Sequence, residues 1–528
     1  MPASTSSKNS PASRPKNRQS QQAPSWAGPL RVAVFLAGLS AVAIAFFYSK
    51  GCLLYYGDAT AHINVARRIL DSRTPGWEQV GTVWLPLPHL LMVPFVGVDY
   101  LWMTGLAGSI PSALCFLLAG VLIFLAARCA FNDGAAAAAA CLLLALNPNL
   151  LYLQAIPMTE AAFLACLAAL LYSTVRFRQT QSWSAVVAAG LAALAASMTR
   201  YEGWFLIPFT ALYFLAASRT RRLAHALLFG AIAALGPLYW FAHNYFFFDD
   251  AWAFYSGPSS AKAIYQRALD AGLARYPGDH NWRQAWLYLR EAVRLAAGPP
   301  LVFMGLAGAV AALFRRAFWP LALLALAPAF YIWSLYAGGT PIFVPDLWPH
   351  SYYNTRYAIG ALPLVAFAAA ALVTIVPVRF RKFAVALVVL AAIAPWFAYP
   401  RMENWICWKE SQVNSDTRRA WTREAADFLR ANYRRGEGIV TTFGDVTAIY
   451  QQAGIPLKET YSECNGRAWR AVMSAPQPPI HEKWAVAVSG DIVAGAIGRL
   501  QRSGSRYDLV KTIALKGAPV IEIYRRQS

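Results

Sequence analysis

The sequence predicts a polytopic α-helical membrane protein of about eleven spans that ends in a small extracytoplasmic α/β domain. Three observations predict it. Of 528 residues, 57% are hydrophobic and 14% charged, with mean hydropathy +0.38, whereas a soluble globular chain carries about 25% charged residues. Apolar runs of near-spanning length recur between residues 32 and 399, punctuated by Gly, Pro and Arg. Beyond about residue 400 the composition turns hydrophilic and short β-type runs replace the long apolar ones. So little polar surface cannot cover such a chain in water, and lipid must solvate much of it.

The elements follow in order. Residues 1–30 are rich in Ser, Pro, Gln, Lys and Arg, the composition of a disordered tail, here placed in the cytoplasm. A transmembrane domain is expected over 31–400. Its first, uncleaved span covers 32–48, because the polar stretch before it is too long for a signal peptide. Ten more are expected at 101–127, 134–151, 159–176, 183–199, 203–218, 223–247, 298–314, 317–336, 357–377 and 383–399. Between 83 and 98 an apolar stretch carries Pro86, Pro88 and Pro94, and it reads as an interfacial segment. The soluble domain at 401–528 opens with an amphipathic helix over 417–433, carrying Trp421, Ala425, Phe428 and Leu429 at helical spacing. Strands are expected at 439–442, 484–488, 509–514 and 520–524, the last two flanking a Lys516-Gly517 turn.

Charge placement sets the orientation. The formal net charge is +21, but many cations form short clusters between apolar runs, such as Arg219, Arg221 and Arg222, or Arg379, Arg381 and Lys382. Short loops with this bias stay cytoplasmic, and no nucleic-acid-binding motif accompanies them. With the N-terminus inside, 12 of the 13 carboxylates before residue 401 lie outside, and only Asp133 lies inside. The long connections 49–100, 248–297 and 337–356 also fall outside. Long ordered loops are usually functional, so the chemistry is expected on that side. There, too, a disulfide between Cys407 and Cys464 is chemically permitted.

Ionisable groups at the membrane boundary are expensive and therefore mark candidate sites. Four segments place them at the same outer boundary. In the first loop, Tyr55-Tyr-Gly-Asp58 leads into a helix with Ala59, Ile63, Ala66 and Ile69 as its apolar stripe. Asp58 is a candidate base there, though an N-cap role alone would account for it. His62 follows on the same face, where packing is the simpler role. Glu160 opens a span after Pro157-Met-Thr, and the helix dipole favours a carboxylate at that position. Arg200 and Glu202 occupy the short turn Thr199-Arg-Tyr-Glu-Gly-Trp204. Arg356 and Tyr357 lead from Tyr352-Tyr-Asn-Thr into the apolar run that begins at Ala358. A guanidinium there suits a phosphate, and a snorkelling arginine is the alternative.

This set resembles the GT-C superfamily of membrane glycosyltransferases, which includes the protein O-mannosyltransferases and aminoarabinose transferases. The shared features are an acidic residue in the first outer loop, the Met158-Thr-Glu160 start of a span, the Asn354-Thr-Arg-Tyr357 segment, and a soluble outer domain after about eleven spans. Many members have Asp followed directly by Glu in that loop, whereas Ala59 follows Asp58 here. Glu160 or Glu202 would have to supply the second carboxylate. The resemblance implies an inverting transfer of a hexosyl or pentosyl unit from a polyprenyl-phosphate donor to a glycan, lipid or protein acceptor at the outer leaflet. Asp58 would act as base, Arg356 and Arg200 as phosphate ligands, and Tyr357, His62, Glu160 and Glu202 as further binding residues. His62 with Asp58 or Glu160 could also hold a divalent metal. A secondary transporter or lipid flippase is the competing class, but no internal repeat is evident and most charges sit at span ends rather than at midplane. A topology reporter fused after residue 400 is expected to read an extracytoplasmic location in the inner or plasma membrane; a cytoplasmic signal would reverse the orientation.

Overall fold

A computed structural model describes residues 27–504 and 507–527. Most of the expected N-terminal tail lies outside the described residues. The first helix begins at Ala27 and ends at Ser49, five residues earlier than the apolar run in the sequence suggests.

Seven helices are long and apolar enough to cross a membrane, or up to nine if each of two bent pairs is one span. Two shorter apolar helices, Trp183–Ser197 and Glu202–Ala217, fall on two more of the expected segments, so the count of eleven requires both of them to cross. The bends have local causes. Gly134–Ala145 and Pro148–Gln154 meet at 68°, where Asn147 caps the second helix by accepting from the amides of Asn149 and Leu150 at 3.0 and 3.1 Å. Pro148 takes the first helical position, where its missing N–H is no loss. Trp282–Ala297 and Pro299–Phe314 meet at 109° across Gly298, whose φ of 86° suits a residue without a Cβ. At the end of the helix Leu106–Phe131 remote from the first loop, Asp133 pairs with Arg381.

The C-terminal part carries a five-stranded sheet ordered β2-β1-β3-β5-β4. Its strands are β1 (Ile439–Thr441), β2 (Thr460–Tyr461), β3 (Trp484–Val488), β4 (Tyr507–Ile513) and β5 (Ile521–Arg526). β1 runs parallel to β2 and β3, while β5 is antiparallel to β3 and β4. The hairpin between β4 and β5 contains Gly517 at φ 78°, in the expected turn. The amphipathic helix spans Asp416–Asn432 and buries Trp421, Ala425 and Leu429. β2 was missed, because two residues are too few to show a period.

The sheet is not simply suspended beside the helices. One apolar core joins Ile63, Ala66, Met92 and Trp102 of the first loop to Trp421, Ile449, Tyr450 and Trp484 of the C-terminal part. The first-loop helix Gly57–Leu70 is therefore a wall shared by the two parts. Trp102 is the central contact: its indole N–H donates to Asn64 at 2.8 Å, and its carbonyl accepts from Gln451 at 2.7 Å. Asp71 adds bonds to the amides of Leu457 and Lys458 at 3.1 and 3.3 Å. All seven cysteines are free, and Cys464 accepts from Arg68 while Cys407 lies buried in the helix Ile406–Val413. The permitted disulfide between them does not form. Truncating a buried Trp costs about 3–5 kcal/mol, so Trp102→Ala is expected to lower the thermal midpoint and to speed proteolytic release of the C-terminal part. An unchanged cleavage rate would show that the shared core does not hold the two parts together.

Candidate functional site

The site forms where four chain segments end at one level. Gly57–Leu70 begins after Tyr56, which places Asp58 in its first turn rather than at its N-cap. Glu160 opens the helix Glu160–Thr180. Arg200 lies in the short link before the helix Glu202–Ala217. That link is tight because Gly203 packs on the preceding helix: a Cβ there would stand 2.3 Å from the Ala196 carbonyl carbon. Arg356 and Tyr357 sit in a 3-10 segment, Thr355–Ala361, entered through Asn354 at φ 53°, a left-handed value that Asn tolerates.

These segments make one buried charge network. Arg356 pairs with Asp58 and lies 3.3 Å from Glu410 and 3.5 Å from Glu160. Arg200 binds Glu202 at 2.7 Å, Glu160 at 3.1 Å, the Thr159 hydroxyl at 2.6 Å and the Tyr331 hydroxyl at 2.7 Å. Tyr331 in turn donates to Glu202. Glu160 thus bridges the two arginines through one oxygen, while its other oxygen and Arg356 Nε are buried without hydrogen-bond partners. The Tyr357 ring stands 5.1 Å from each guanidinium and stacks on Tyr331 at 4.9 Å. Buried ions are tolerated only when paired. Asp58 is the exception in exposure: 39% of its side chain is accessible, against 5% for Glu160 and 2% for Glu410. It is the member of the network that an incoming molecule can reach.

A cavity of about 210 Å3, including its solvent-open part, lies against this network. Glu160, Arg200, Tyr331 and Arg356 form its polar wall, and Phe163, Leu164 and Ile359 its apolar one. Cationic and apolar groups thus meet on one lining.

The structure brings Asp58, Glu160, Arg200, Glu202, Arg356 and Tyr357 together. His62 stands apart: its Nδ1 is 2.9 Å from His89 Nε2, and its ring packs 4.5 Å from Trp84. Burial, followed by the charges of Arg356 and Arg200, lowers its pKa to about 3, so it stays neutral. Among the described residues no group of three or more His, Cys, Asp or Glu is placed to hold a metal ion.

Three contributors escaped the sequence reading. Glu410, from the helix Ile406–Val413, accepts the amides of Asn354 and Thr355 at 2.9 and 2.7 Å and also the Thr355 hydroxyl. Burial raises its pKa, while Arg356 and these donors oppose the rise. Tyr331 lies within an apolar helix. Arg418, from Asp416–Asn432, donates to the Tyr55 carbonyl and stands 3.8 Å from Asp445. It reaches there because residue 57 is Gly: a Cβ at that position would lie 2.5 Å from the Arg418 guanidinium. Only the reach of Glu410 across 54 residues to Arg356 could have marked it, and sequence does not carry that.

A family model described as dolichyl-phosphate-mannose-protein mannosyltransferase matches residues 102–242. No curated protein matches the chain. Among solved structures, ArnT from Cupriavidus metallidurans bound to undecaprenyl phosphate aligns with a TM-score of 0.52 at 13% identity, covering 93% of this chain and 97% of that one. The same protein in its apo state gives 0.52 at 12% identity with the same coverage. The apo oligosaccharyltransferase of Archaeoglobus fulgidus gives 0.47 at 13% identity, covering 87% of this chain and 69% of that one. The family model over residues 102–242 and the ArnT-like architecture agree with the resemblance drawn from the sequence motifs: the chain has an ArnT-like fold.

Proposed function

We propose that the protein transfers a hexose or pentose unit from a polyprenyl-phosphate donor to an acceptor hydroxyl or amine at the outer membrane leaflet, with inversion. One observation carries the reading: two buried arginines from distant segments share Glu160 and line one cavity whose remaining wall is apolar. A lipid phosphate matches that combination of charge and grease. The ArnT structure of similar fold, named as bound to undecaprenyl phosphate, supports the same donor class.

In this reading the donor is a phosphodiester whose phosphate approaches Arg356 and Arg200. Asp58 pairs with Arg356 and is accessible, and it accepts the acceptor's proton as the acceptor atom bonds to the anomeric carbon. A positioned base contributes about 10²- to 10⁴-fold. The bond from that carbon to the phosphate oxygen breaks with its electron pair, and the lipid phosphate leaves as a dianion. No strong acid is needed for such a leaving group. Fixed guanidinium donors in a dry pocket stabilise the charge that develops. Glu202 and Tyr331 hold Arg200, Glu410 holds the segment bearing Arg356, and Tyr357 shapes the sugar or lipid channel.

The proposal extends to topology. The Asp58 end of the helices and the docked C-terminal part face the extracytoplasmic side, with the N-terminus inside. The acceptor is a glycan, lipid or protein that reaches Asp58 from there.

In membranes supplied with polyprenyl-phosphate sugar and acceptor, Asp58→Asn is expected to lower transfer at least about 100-fold with unchanged protein level. Near wild-type transfer would remove Asp58 as base. Arg356→Ala is expected to raise the donor concentration needed for half-maximal rate, and Arg356→Lys to recover only part of the loss, because an ammonium lacks the planar fork. Glu410→Ala leaves two amides and a guanidinium short of a partner. Breaking such a buried pair costs about 3–5 kcal/mol, so both the thermal midpoint and transfer should fall, with Glu410→Gln intermediate. Equal stability of Glu410→Ala and wild type would exclude the anchoring role.

A further inference from the structure

The geometry points to a docking face for anionic phospholipid headgroups on the helix Trp282–Ala297, at the membrane boundary on the side where Arg356 lies. It stands independently of the proposed transfer.

The helix runs along that boundary rather than across it. It meets Pro299–Phe314 at 109°, so the two are nearly perpendicular. It also links the ends of two helices of membrane-crossing length, Phe318–Tyr336 and Val378–Ala398. At its start the Trp282 ring stacks on Tyr336, 4.0 Å away and 8° from parallel. Just past its end, a Cβ at Gly298 would stand 3.2 Å from the Trp396 ring. Tyr336 and Trp396 end their helices on the same side, because near the opposite ends Arg315 and Arg381 both donate to the Thr374 carbonyl. Thr374 closes the span Thr355–Ile375, whose other end carries Arg356. With 16 residues, the helix follows that level for about 24 Å.

Its two faces differ. Ala285, Tyr288, Leu289, Ala292 and Ala296 are buried and pack it onto the protein. Trp282, Arg283, Trp286 and Arg290 share another face, within an arc of about 100°. The two tryptophans are 52% and 54% exposed, and both arginines are exposed as well. Among the described residues neither arginine forms an ion pair or a hydrogen bond. Arg294, on the flank of the same helix, is instead held by Glu291 and Asp346.

The neighbours of this face indicate what covers it. Trp333, one turn before Tyr336, is exposed, and so are Phe303 and Leu306 on Pro299–Phe314. In a membrane-embedded chain such side chains meet lipid, and the Trp282 face continues their surface. Tryptophan collects in the headgroup zone, where its ring is apolar and its N–H stays wet. A guanidinium at that depth meets lipid phosphates and offers them a planar fork of donors. Basic side chains at a membrane surface favour lipids of net negative charge. A zwitterionic headgroup also carries a phosphate, but its ammonium is repelled by the same arginines.

The test uses full-length protein in a neutral detergent, titrated with dioleoyl phosphatidylglycerol or dioleoyl phosphatidylcholine, with bound lipid counted by native mass spectrometry. The expected result is binding of phosphatidylglycerol at least about ten-fold tighter than phosphatidylcholine. Replacing both arginines, Arg283→Gln with Arg290→Gln, should reduce that preference to about two-fold or less. The thermal midpoint should not change, because neither side chain holds the fold. Trp282→Ala with Trp286→Ala should weaken both lipids several-fold. Equal affinity of the wild type for the two lipids would overturn the inference. So would an unchanged preference in the arginine variant, or displacement of the lipid by an equimolar amount of glycerol phosphate. A dimer that dissociates in the tryptophan variant would also overturn it, by making a second copy of the chain the occupant.

Discussion

The structure depends on how two buried guanidinium groups are compensated. Taking a charge out of water costs several kcal/mol even after relaxation, and no single segment here carries enough carboxylates to offset it. Arg356 draws on Asp58, Glu160 and Glu410. Arg200 draws on Glu160 and Glu202. The first loop, the Glu160 helix, the tight Arg200 link, the Thr355–Ala361 segment and the start of the C-terminal part must therefore all arrive together. The breaks at Asn147-Pro148 and Gly298-Pro299 redirect helices, the first capped by Asn147 and the second turning on Gly298 at positive φ.

The C-terminal part is consequently a component of the site. Glu410 anchors the segment bearing Arg356, Arg418 reaches the chain beside Asp58, and Trp102 locks the first loop to the sheet. Motion of this part relative to the helices would move both walls of the network. A transporter would be expected to place its charges near the bilayer midplane between repeats. Here they gather at the helix ends, around one accessible carboxylate.

Much of this was legible in the sequence, for a physical reason. A charged residue at the end of an apolar run has few cheap positions, so Asp58, Glu160, Arg200, Glu202 and Arg356 stood out and proved to be neighbours. His62 stood out equally but turns to His89 and Trp84, because four-residue spacing fixes a helix face and not the partner beyond it. Glu410 follows Trp408 and Lys409 in a stretch of ordinary polarity, where a carboxylate carries no such signal. Tyr331 is hidden for the opposite reason, since a tyrosine inside an apolar helix resembles packing. The bend after residue 145 was read through as one span, although Asn147-Pro148 is a cap followed by a helix-starting proline. The docking of the sheet on the first loop depends on contacts across more than 300 residues, such as Gln451 to Trp102, which no local pattern encodes.

The most direct measurement is an experimental structure of the protein with a non-transferable polyprenyl-phosphate sugar bound. The account predicts the phosphate within hydrogen-bond reach of Arg356 or Arg200, the lipid along Phe163, Leu164 and Ile359, and the Asp58 carboxylate facing the anomeric carbon opposite the phosphate. A phosphate bound away from both arginines, or an Asp58 turned from the sugar, would contradict it.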